Sequence, residues 1–353
     1  MIRALDRRDT TVLKGLAIAA IVFHNFFHFV SPARQNEFTF DPARFPVFLH
    51  TVVQPDLAIQ AIFSFFGHFG VQVFVFLSAY GLSMSHWDDP APWARFLWGR
   101  VKKLYPAMGL VVLPWFLAVA LHLGSLHAMG QIGLELVLMF LGLSTLLGYG
   151  LPPVGPWWFI PFVVQFYALW PVLRWMTNRF GWRSLVALAG LSMIATAGAN
   201  PILAHWSINL FMTPIGRMPV LCFGILAARY PIELNRKCAL VAAMAFVLGC
   251  RFADFWPFTF IAALWLALWM YIPVREVFRN NRYLVEIGRN SMLIFLINGI
   301  VRDQFVRFTS SPASQLFFGC ISAGVSFLLA ALLQFLVQPK GERVRQPNLS
   351  YGQ

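Results

Sequence analysis

Polar side chains inside the first apolar segment are the residues of this chain that point most directly to chemistry. The run 12–30 carries Lys14, His24, Asn25 and His28 as its strongly polar members. At a rise of 1.5 Å per residue, His24 lies about 15 Å deeper than Lys14, near the middle of a ~30 Å hydrocarbon layer. An ionisable group at that depth is costly and usually faces a wet or protein-lined interior. Because a neutral imidazole takes up a proton near neutral pH, His24 is a candidate general base.

Two structural explanations compete with a catalytic role for this segment. Lys14 could extend its ammonium group to the membrane surface, and His24 could merely pack between helices. His24 and His28 are four residues apart on one helical face, but the segment offers no third metal ligand, so we predict no metal site. The cysteines lack CxxC spacing and predict no zinc or disulfide framework; they are Cys222, Cys238, Cys250 and Cys320.

The composition identifies the chain as an integral membrane protein. Of its 353 residues, 59% are hydrophobic and 12% are charged, whereas soluble domains carry about 25% charged residues. We therefore predict an all-α, polytopic transmembrane bundle, with residues 1–338 as one integral-membrane domain and 339–353 as a cytoplasmic tail. The net charge of +13 does not indicate nucleic-acid binding, because the charges lie between the apolar segments.

The distribution of cations predicts an orientation. Six basic clusters hold 21 of the 27 lysines and arginines, at 3–14, 95–103, 174–183, 229–237, 275–289 and 340–345. The positive-inside rule places all six in the cytoplasm. Eleven apolar segments would put the cluster 174–183 outside, so one segment must not cross fully. The glycine-rich run 131–150 is the best candidate, which predicts ten full spans, one partial or re-entrant segment and both termini in the cytoplasm.

Other polar residues are candidates for a site, although each also has a simpler structural explanation. The basic run 95–106 contains Arg100 and Lys103, which could hold donor phosphates or only anionic lipid headgroups. The remaining candidates could line a pocket or only hydrogen-bond between helices, and they are Ser78, Trp157, Trp158, Gln165, Tyr167, Arg217 and Asn298. GxSxG, HExxH, Walker and strand-linked GxGxxG motifs are absent from the sequence, so hydrolase, zinc-protease and nucleotide-fold functions have no support.

Taken in order, these stretches resemble the membrane-bound acyltransferase family 3, whose members O-acylate bacterial envelope polysaccharides. TVLKGLAIAAIVFH resembles the first-helix pattern of a basic residue followed by histidine, and GVQVFVFLSAYGLS resembles GVDLFFVLSG. RVKKLYP is similar to a basic-x-x-basic element ending in proline, and PWWFIPFVVQFYALWP to a tryptophan-rich segment. RMPVLCFGILA and SMLIFLIN resemble two later motifs, and the resemblance covers nearly the whole chain.

The sequence also departs from the family pattern. Lys14 stands where arginine is commoner, and Thr11 where many members have aspartate. Nine residues separate Lys14 from His24, against ten in many members, so either His24 or Asn25 corresponds to the motif histidine. Asn298 replaces a frequent late histidine.

The resemblance implies acyl transfer, most often of acetyl, from acyl-coenzyme A in the cytoplasm to a sugar hydroxyl of an envelope polysaccharide or its lipid-linked precursor, in the bacterial inner membrane. Acyl-coenzyme A would be a co-substrate, and no bound cofactor is expected. His24 would be the base or a transient acyl carrier, Lys14 would meet the donor, and Arg100 and Lys103 would hold its phosphates. The outer half would be lined by Trp157, Trp158, Gln165 and Tyr167, with Arg217 orienting the acceptor.

Two other functions remain open at this point. A transporter or flippase for a lipid-linked saccharide would also contain buried polar groups and a re-entrant segment. A noncatalytic membrane scaffold would tolerate substitution of Lys14, His24 and Arg100. The sequence leaves open the acyl group (acetyl or succinyl), the acceptor and the oligomeric state.

Overall fold

The computed structural model describes residues 5–88 and 91–337, and this part of the chain is helical without any strand. The predicted tail 339–353 lies outside the described residues. The helices are α1 (Arg7–Val30), α2 (Arg44–Val52), α3 (Ala58–Phe66), α4 (Gly70–His86), α5 (Trp93–Leu123), α6 (Leu126–Phe140), α7 (Phe159–Phe180), α8 (Trp182–Leu203), α9 (Met218–Arg229), α10 (Arg236–Arg251), α11 (Phe258–Arg279), α12 (Arg282–Arg289), α13 (Ser291–Phe305) and α14 (Pro312–Val337). The predicted polytopic helical bundle is therefore confirmed.

Not every predicted span is a single long, regular helix. Within the described residues, seven helical segments are long and apolar enough to cross a bilayer, or eight if the bent pair α12–α13 is one span, against the ten that we expected. Hydropathy counts the apolar residues of a run but does not register where the backbone leaves the helix. In the run 208–228, for example, the regular α-helix α9 begins only at Met218.

Two apolar helices are too short to cross a bilayer alone. Helix α6 has 15 residues and α9 has 12, so they measure about 22 and 18 Å against a hydrocarbon layer of ~30 Å. The backbone after α6 is irregular, with positive φ angles at Gly142, Gly148 and Gly150. This geometry agrees with the partial segment expected over 131–150.

Helix α1 lies at the centre of the bundle and contacts α3, α4, α11, α12, α13 and α14. Its first turn is fixed by a capping box in which Asp6 accepts from the backbone of Asp9 and Asp9 accepts from the backbone of Asp6. The fully buried Asp9 carboxylate also accepts hydrogen bonds from the Tyr271 hydroxyl, at 3.0 Å, and from Arg275. These contacts anchor the start of α1 to α11. They thereby fix the depth at which the later polar residues of α1 lie in the bundle.

Two glycines permit α12 to cross α1 with the backbones in contact. A Cβ atom built at Gly288 would lie 1.9 Å from the Thr11 carbonyl oxygen, and one at Gly15 would lie 2.2 Å from the Leu284 carbonyl oxygen. The axis then turns by 79° between α12 and α13. The crossing is adjacent to Lys14 and holds the first third of α1 in place.

A break in the second span lies beside the middle of α1. The segment Gly67–Phe69 is a 3-10 turn between α3 and α4. A Cβ atom at Gly67 would lie 2.7 Å from the His24 Cβ, and one at Gly70 would lie 3.0 Å from the Ile21 Cγ1. The glycines therefore let the broken span approach α1 at the level of His24.

Contacts between loops place several basic clusters on the face where α1 begins, which we call the N-terminal face. Arg8 donates to the carbonyl of Arg279 at 2.8 Å, and Arg279 pairs with Asp6. On the same side, Tyr80 of α4 donates to the Leu5 carbonyl, and Arg174 donates to the His86 carbonyl at the end of that helix. The end of α1 at Val30 defines the opposite face.

Candidate active site

His24 lies in the interior of the bundle and is fixed in one tautomer. It is 7% exposed, and its Nδ1 lies 3.0 Å from the carbonyl oxygen of Ser64. Ser64 is in the last turn of α3, where carbonyls lack partners within the helix. Because a carbonyl only accepts hydrogen bonds, Nδ1 carries the proton and the neutral ring presents the lone pair of Nε2. The geometry therefore suits His24 to accept a proton.

The residue after His24 borders the same space. Asn25 donates through Nδ2 to Oδ1 of Asn298 at 2.6 Å, and Asn298 donates in turn to the carbonyl of Phe295. Both His24 and Asn25 line one cavity, so the one-residue ambiguity in the sequence pattern does not remove either from the site. The asparagine pair joins α1 to α13.

The cavity around His24, which we call the histidine cavity, has a volume of about 200 Å³. It contains five polar residues that the sequence analysis did not assign to a site: His28, Asn36, Glu37, His68 and Arg302. The His68 ring lies 5.2 Å from the His24 ring, and within the described residues neither of its nitrogens has a hydrogen-bond partner. An unpartnered buried imidazole at the cavity wall is available to a bound molecule.

Glu37 belongs to the loop between α1 and α2 and is only 4% exposed. Burial raises the pKa of Glu37 to about 7, although the nearby charge of Arg217 acts to lower it. Arg217 is fully buried, donates through Nε to the Phe211 carbonyl at 2.9 Å and lies over the Trp158 ring at 5.4 Å. The wall of the histidine cavity thus contains a carboxyl group that can change its charge near neutral pH.

A second cavity, the lysine cavity, lies toward the N-terminal face and has a volume of about 190 Å³. Lys14, Ser78, Tyr167 and Ser291 contribute its polar side chains. The Ser78 hydroxyl donates to the Phe74 carbonyl one turn back, at 2.8 Å. Three of the predicted site residues, Lys14, Ser78 and Tyr167, therefore come together here.

The basic element before the third span lies close to the lysine cavity. Arg100 interacts electrostatically with Tyr167 of that cavity, contacts His86 and lies 5.6 Å from the Phe96 ring centroid. Lys103 is exposed and lines neither of the two cavities. Arg100 thus lies near the lysine cavity without lining it, whereas the Lys103 side chain is exposed.

Three apolar side chains separate the two cavities. Ile21, Val71 and Phe295 border both of them, and they come from α1, α4 and α13. Ile21 lies one helical turn from His24 on the same face, about 4.5 Å along the axis. We call these three residues the partition. The lysine cavity lies toward one face and the histidine cavity toward the other, and the two are therefore separated by only one layer of side chains.

The aromatic segment formed by the 3-10 turn Gly155–Trp158 and the first half of α7 does not form a single pocket wall. Trp158 lines the histidine cavity, whereas Tyr167 lines the lysine cavity. Trp157 is fully buried and donates through its indole to the Leu296 carbonyl at 2.9 Å. Gln165 donates to the Gly142 carbonyl and to the Thr145 hydroxyl, both at 2.8 Å, and so holds the irregular segment after α6. Trp157 and Gln165 line neither of the two cavities.

The described residues contain no cluster of three or more histidine, cysteine, aspartate or glutamate side chains arranged to hold a metal ion.

A signal for His68 was present in the sequence, since it is a polar residue inside the apolar run 57–83. Its proximity to His24 depends on the contact between α1 and the broken span and cannot be read locally. The sequence did not indicate that Glu37 lies in a site, because an acidic residue in a polar loop is ordinarily solvated.

The fold is that of a polytopic helical membrane protein whose interior contains two neighbouring polar cavities. A family model described as an acyltransferase domain, that of acyltransferase family 3, matches residues 7–335. The chain therefore belongs to acyltransferase family 3, as the resemblance predicted, and is a membrane acyltransferase. No curated protein and no solved structure matches this chain.

Proposed function

We propose that this protein transfers an acyl group, in the first instance acetyl, from acyl-coenzyme A to a sugar hydroxyl of an envelope polysaccharide or its lipid-linked precursor. The observation that carries the proposal is the position of His24. Its Nε2 is left available by the Nδ1 contact with Ser64, and it lies one turn beyond a partition whose other side contains Lys14. The acceptor hydroxyl needs a base, which His24 supplies in one cavity. The donor needs a cation, which Lys14 supplies in the other.

The chemistry follows from these positions. His24 Nε2 takes the proton of the acceptor hydroxyl as its oxygen attacks the thioester carbonyl carbon. A new C–O bond forms, the C–S bond breaks, and the coenzyme A thiolate then receives the proton from His24. The products are an ester and free coenzyme A, and the imidazole returns to its neutral state. Alternatively, Nε2 carries the acyl group briefly before the acceptor hydroxyl attacks it.

The donor belongs on the N-terminal face in this proposal. Several basic clusters meet on that face, which the positive-inside rule assigns to the cytoplasm, and acyl-coenzyme A is a cytoplasmic metabolite. Lys14 would interact with the donor near its thioester, with Arg100 at the mouth for its phosphates. In a bacterial inner membrane, both termini would then be cytoplasmic and the histidine cavity would face the acceptor.

The acceptor side offers groups that suit a carbohydrate. Trp158 supplies an aromatic face, and Asn25, Glu37 and His68 supply hydrogen-bonding groups around the same cavity. Asn298 holds Asn25 in place, and Arg217 lies behind Trp158 and steadies its ring. Arg217 is thus proposed to orient the acceptor through Trp158.

The decisive experiment is acyl transfer by membranes that contain the protein. Membranes are incubated with radiolabelled acetyl-coenzyme A, and label is measured in the extracted polysaccharide and lipid-linked saccharide. We expect transfer by the wild-type protein and a loss of at least about 100-fold in His24→Ala, the lower end of what positioned base catalysis supplies. His122→Ala, which removes an exposed histidine of α5, is the matched control and should retain activity.

The two competing functions give different results in this assay. A transporter or flippase leaves the saccharide unlabelled while still moving it across the membrane. A scaffold leaves it unlabelled and tolerates His24→Ala. Labelling that persists in a well-folded His24→Ala variant would remove His24 from the mechanism.

A further inference from the structure

We propose that the partition formed by Ile21, Val71 and Phe295 is a size filter for the acyl chain, which admits acetyl and rejects butyryl and longer groups. The inference rests on the proposed function and adds to it the residues that choose the donor. The three side chains are uncharged and lie outside the reacting groups, so they act through shape alone.

The position of the reaction places the acyl group at the partition. An attacking oxygen within hydrogen-bond reach of His24 Nε2 is about 3 Å from that nitrogen, and the thioester carbon must be about 3–3.5 Å beyond the oxygen. The carbon is therefore roughly one helical turn from His24 when the donor comes from the lysine cavity. Ile21 lies at that level.

The partition leaves little free space for a longer chain. Ile21, Val71 and Phe295 are only 3%, 5% and 7% exposed, although each borders both cavities. An acyl chain attached to the thioester carbon must displace or fit between these side chains. Well-packed interiors resist added methylene groups, so each additional carbon carries a steric cost.

Neighbouring contacts keep the partition from moving aside. The backbone of Gly70 approaches Ile21 so closely that a Cβ atom there would lie 3.0 Å from the Ile21 Cγ1. The Phe295 ring is met edge-on by Phe159, with ring centroids 5.6 Å apart. Val71 follows Gly70 in the first turn of α4 and is fixed by the same helix contact. The filter is therefore built from restrained side chains on three different helices.

The test measures donor selectivity. Membranes with wild-type protein are supplied with acetyl-, propionyl-, butyryl- or hexanoyl-coenzyme A, and kcat/KM is determined for each. We expect the wild type to favour acetyl over butyryl by at least about tenfold, the smaller end of the discrimination that one methylene gives in an apolar pocket. Val71→Ala and Ile21→Val should raise the butyryl-to-acetyl ratio by about tenfold or more.

Two further variants distinguish a change in the size of the partition from a general loss of packing. Val71→Ile narrows the partition and should lower the propionyl-to-acetyl ratio, which a general loss of packing would not do. Val220→Ala removes the same two methyl groups from an equally buried valine of α9 that lines neither of the two cavities, and it should leave the ratio unchanged. Size-exclusion chromatography in detergent checks that each variant is folded.

The outcomes distinguish a failure of the size filter from a failure of the proposed acyltransferase function. Wild-type protein that uses hexanoyl- as well as acetyl-coenzyme A overturns the filter and leaves the acyltransferase proposal standing. The same conclusion follows if folded Val71→Ala, Ile21→Val and Val71→Ile variants all keep the wild-type ratio. Absence of transfer from every donor overturns the proposed function and the filter together.

Discussion

At the scale of the residue, the site is organised by one backbone carbonyl. Ser64 accepts from Nδ1 of His24 because the break after α3 leaves its carbonyl near α1. This contact does for His24 what a carboxylate does in many catalytic sites, since it fixes both the tautomer and the ring orientation. A carbonyl adds no negative charge, so it stabilises an imidazolium less than a carboxylate would. The arrangement therefore favours a ring that is neutral at rest and protonated only briefly.

Glu37 gives a prediction about stability and pH. Burial raises its pKa from the ordinary value of 4.5 to about 7, so the folded state binds the proton more tightly than the unfolded state. Stability then falls as the pH rises from about 4.5 to 7, by up to about 1.4 kcal/mol per pH unit. We expect Glu37→Gln to raise the Tm in detergent at pH 8 and to change it little at pH 5.

A matched control distinguishes burial from a general effect of lost charge. Glu233→Gln removes an exposed carboxylate and should give the same small Tm change at both pH values. An equal Tm gain for Glu37→Gln at pH 5 and pH 8 would contradict the assignment of a raised pKa to this residue.

At the scale of the element, glycines decide which helices can meet. Gly15 and Gly288 bring α1 and α12 into backbone contact, and Gly67 and Gly70 bring the broken second span against α1. Both approaches lie beside a site residue, Lys14 in the first case and His24 in the second. Such close helix packing is typical of membrane proteins, where small residues replace the hydrophobic effect as the determinant of association.

A substitution at the α1–α12 crossing tests this role. Gly288→Ala places a Cβ atom 1.9 Å from the Thr11 carbonyl oxygen, so α12 must move away from α1. We expect a loss of stability of about 1–3 kcal/mol, typical of overpacking, together with reduced acyl transfer because Lys14 is displaced. The thermal unfolding of purified protein in detergent measures the first effect.

The control uses a glycine in the same kind of element. Gly190 lies inside α8 with no atom within 4 Å of a built Cβ, so Gly190→Ala should leave the Tm unchanged or raise it. If Gly288→Ala proves as stable as Gly190→Ala, the two helices are not in the close contact described.

At the scale of the whole molecule, two polar cavities lie on either side of the partition, and His24 lines one of them. The lysine cavity lies toward the N-terminal face and the histidine cavity toward the opposite face, with α1 passing beside both. This arrangement lets a donor and an acceptor meet without either crossing the bilayer. It also makes the orientation of the protein in the membrane a condition for the proposed reaction.

Cysteine labelling tests that orientation. In a background without native cysteines, Thr39→Cys is exposed in the loop after α1 and Asn280→Cys is exposed between α11 and α12, near the N-terminal face. We expect a membrane-impermeant maleimide to label Thr39→Cys in cells with a permeabilised outer membrane and intact inner membrane. Asn280→Cys should react only after the inner membrane is lysed. The reverse pattern would place the donor side outside and contradict the proposed function.

The sequence predicted the features that depend on local pattern. The end of α1, the membrane class and the family follow from hydropathy and ordered motifs, which are properties of the chain itself, whereas α1 begins at Arg7, five residues before the apolar run 12–30. The helix boundaries followed from the sequence only in part, because the stretch 213–217 lies in an apolar run, yet Gly216 packs its backbone against Leu210 and precedes the regular helix α9. Tertiary contacts of this kind override hydropathy.

The candidate site was predicted only in part for a related reason. Lys14 and His24 share one helix, so their spacing could be read directly. The pairing of Asn25 with Asn298 joins residues 273 positions apart, and His68 reaches His24 through a broken helix. Glu37 enters from a loop whose path no local pattern encodes. Residues that meet through long-range packing were therefore missed or could not be grouped.

The partition has an electrical consequence. Moving one elementary charge across a membrane potential of 100 mV costs or yields about 2.3 kcal/mol, so a water-filled passage would let ions discharge the gradient. A hydrocarbon constriction loses its water and blocks hydrated ions. In the proposed reaction an acetyl group passes Ile21, Val71 and Phe295. Because acetyl is neutral, the membrane potential neither drives nor opposes this movement. The proposed reaction would thus export a chemical group while the membrane around the protein stays energised.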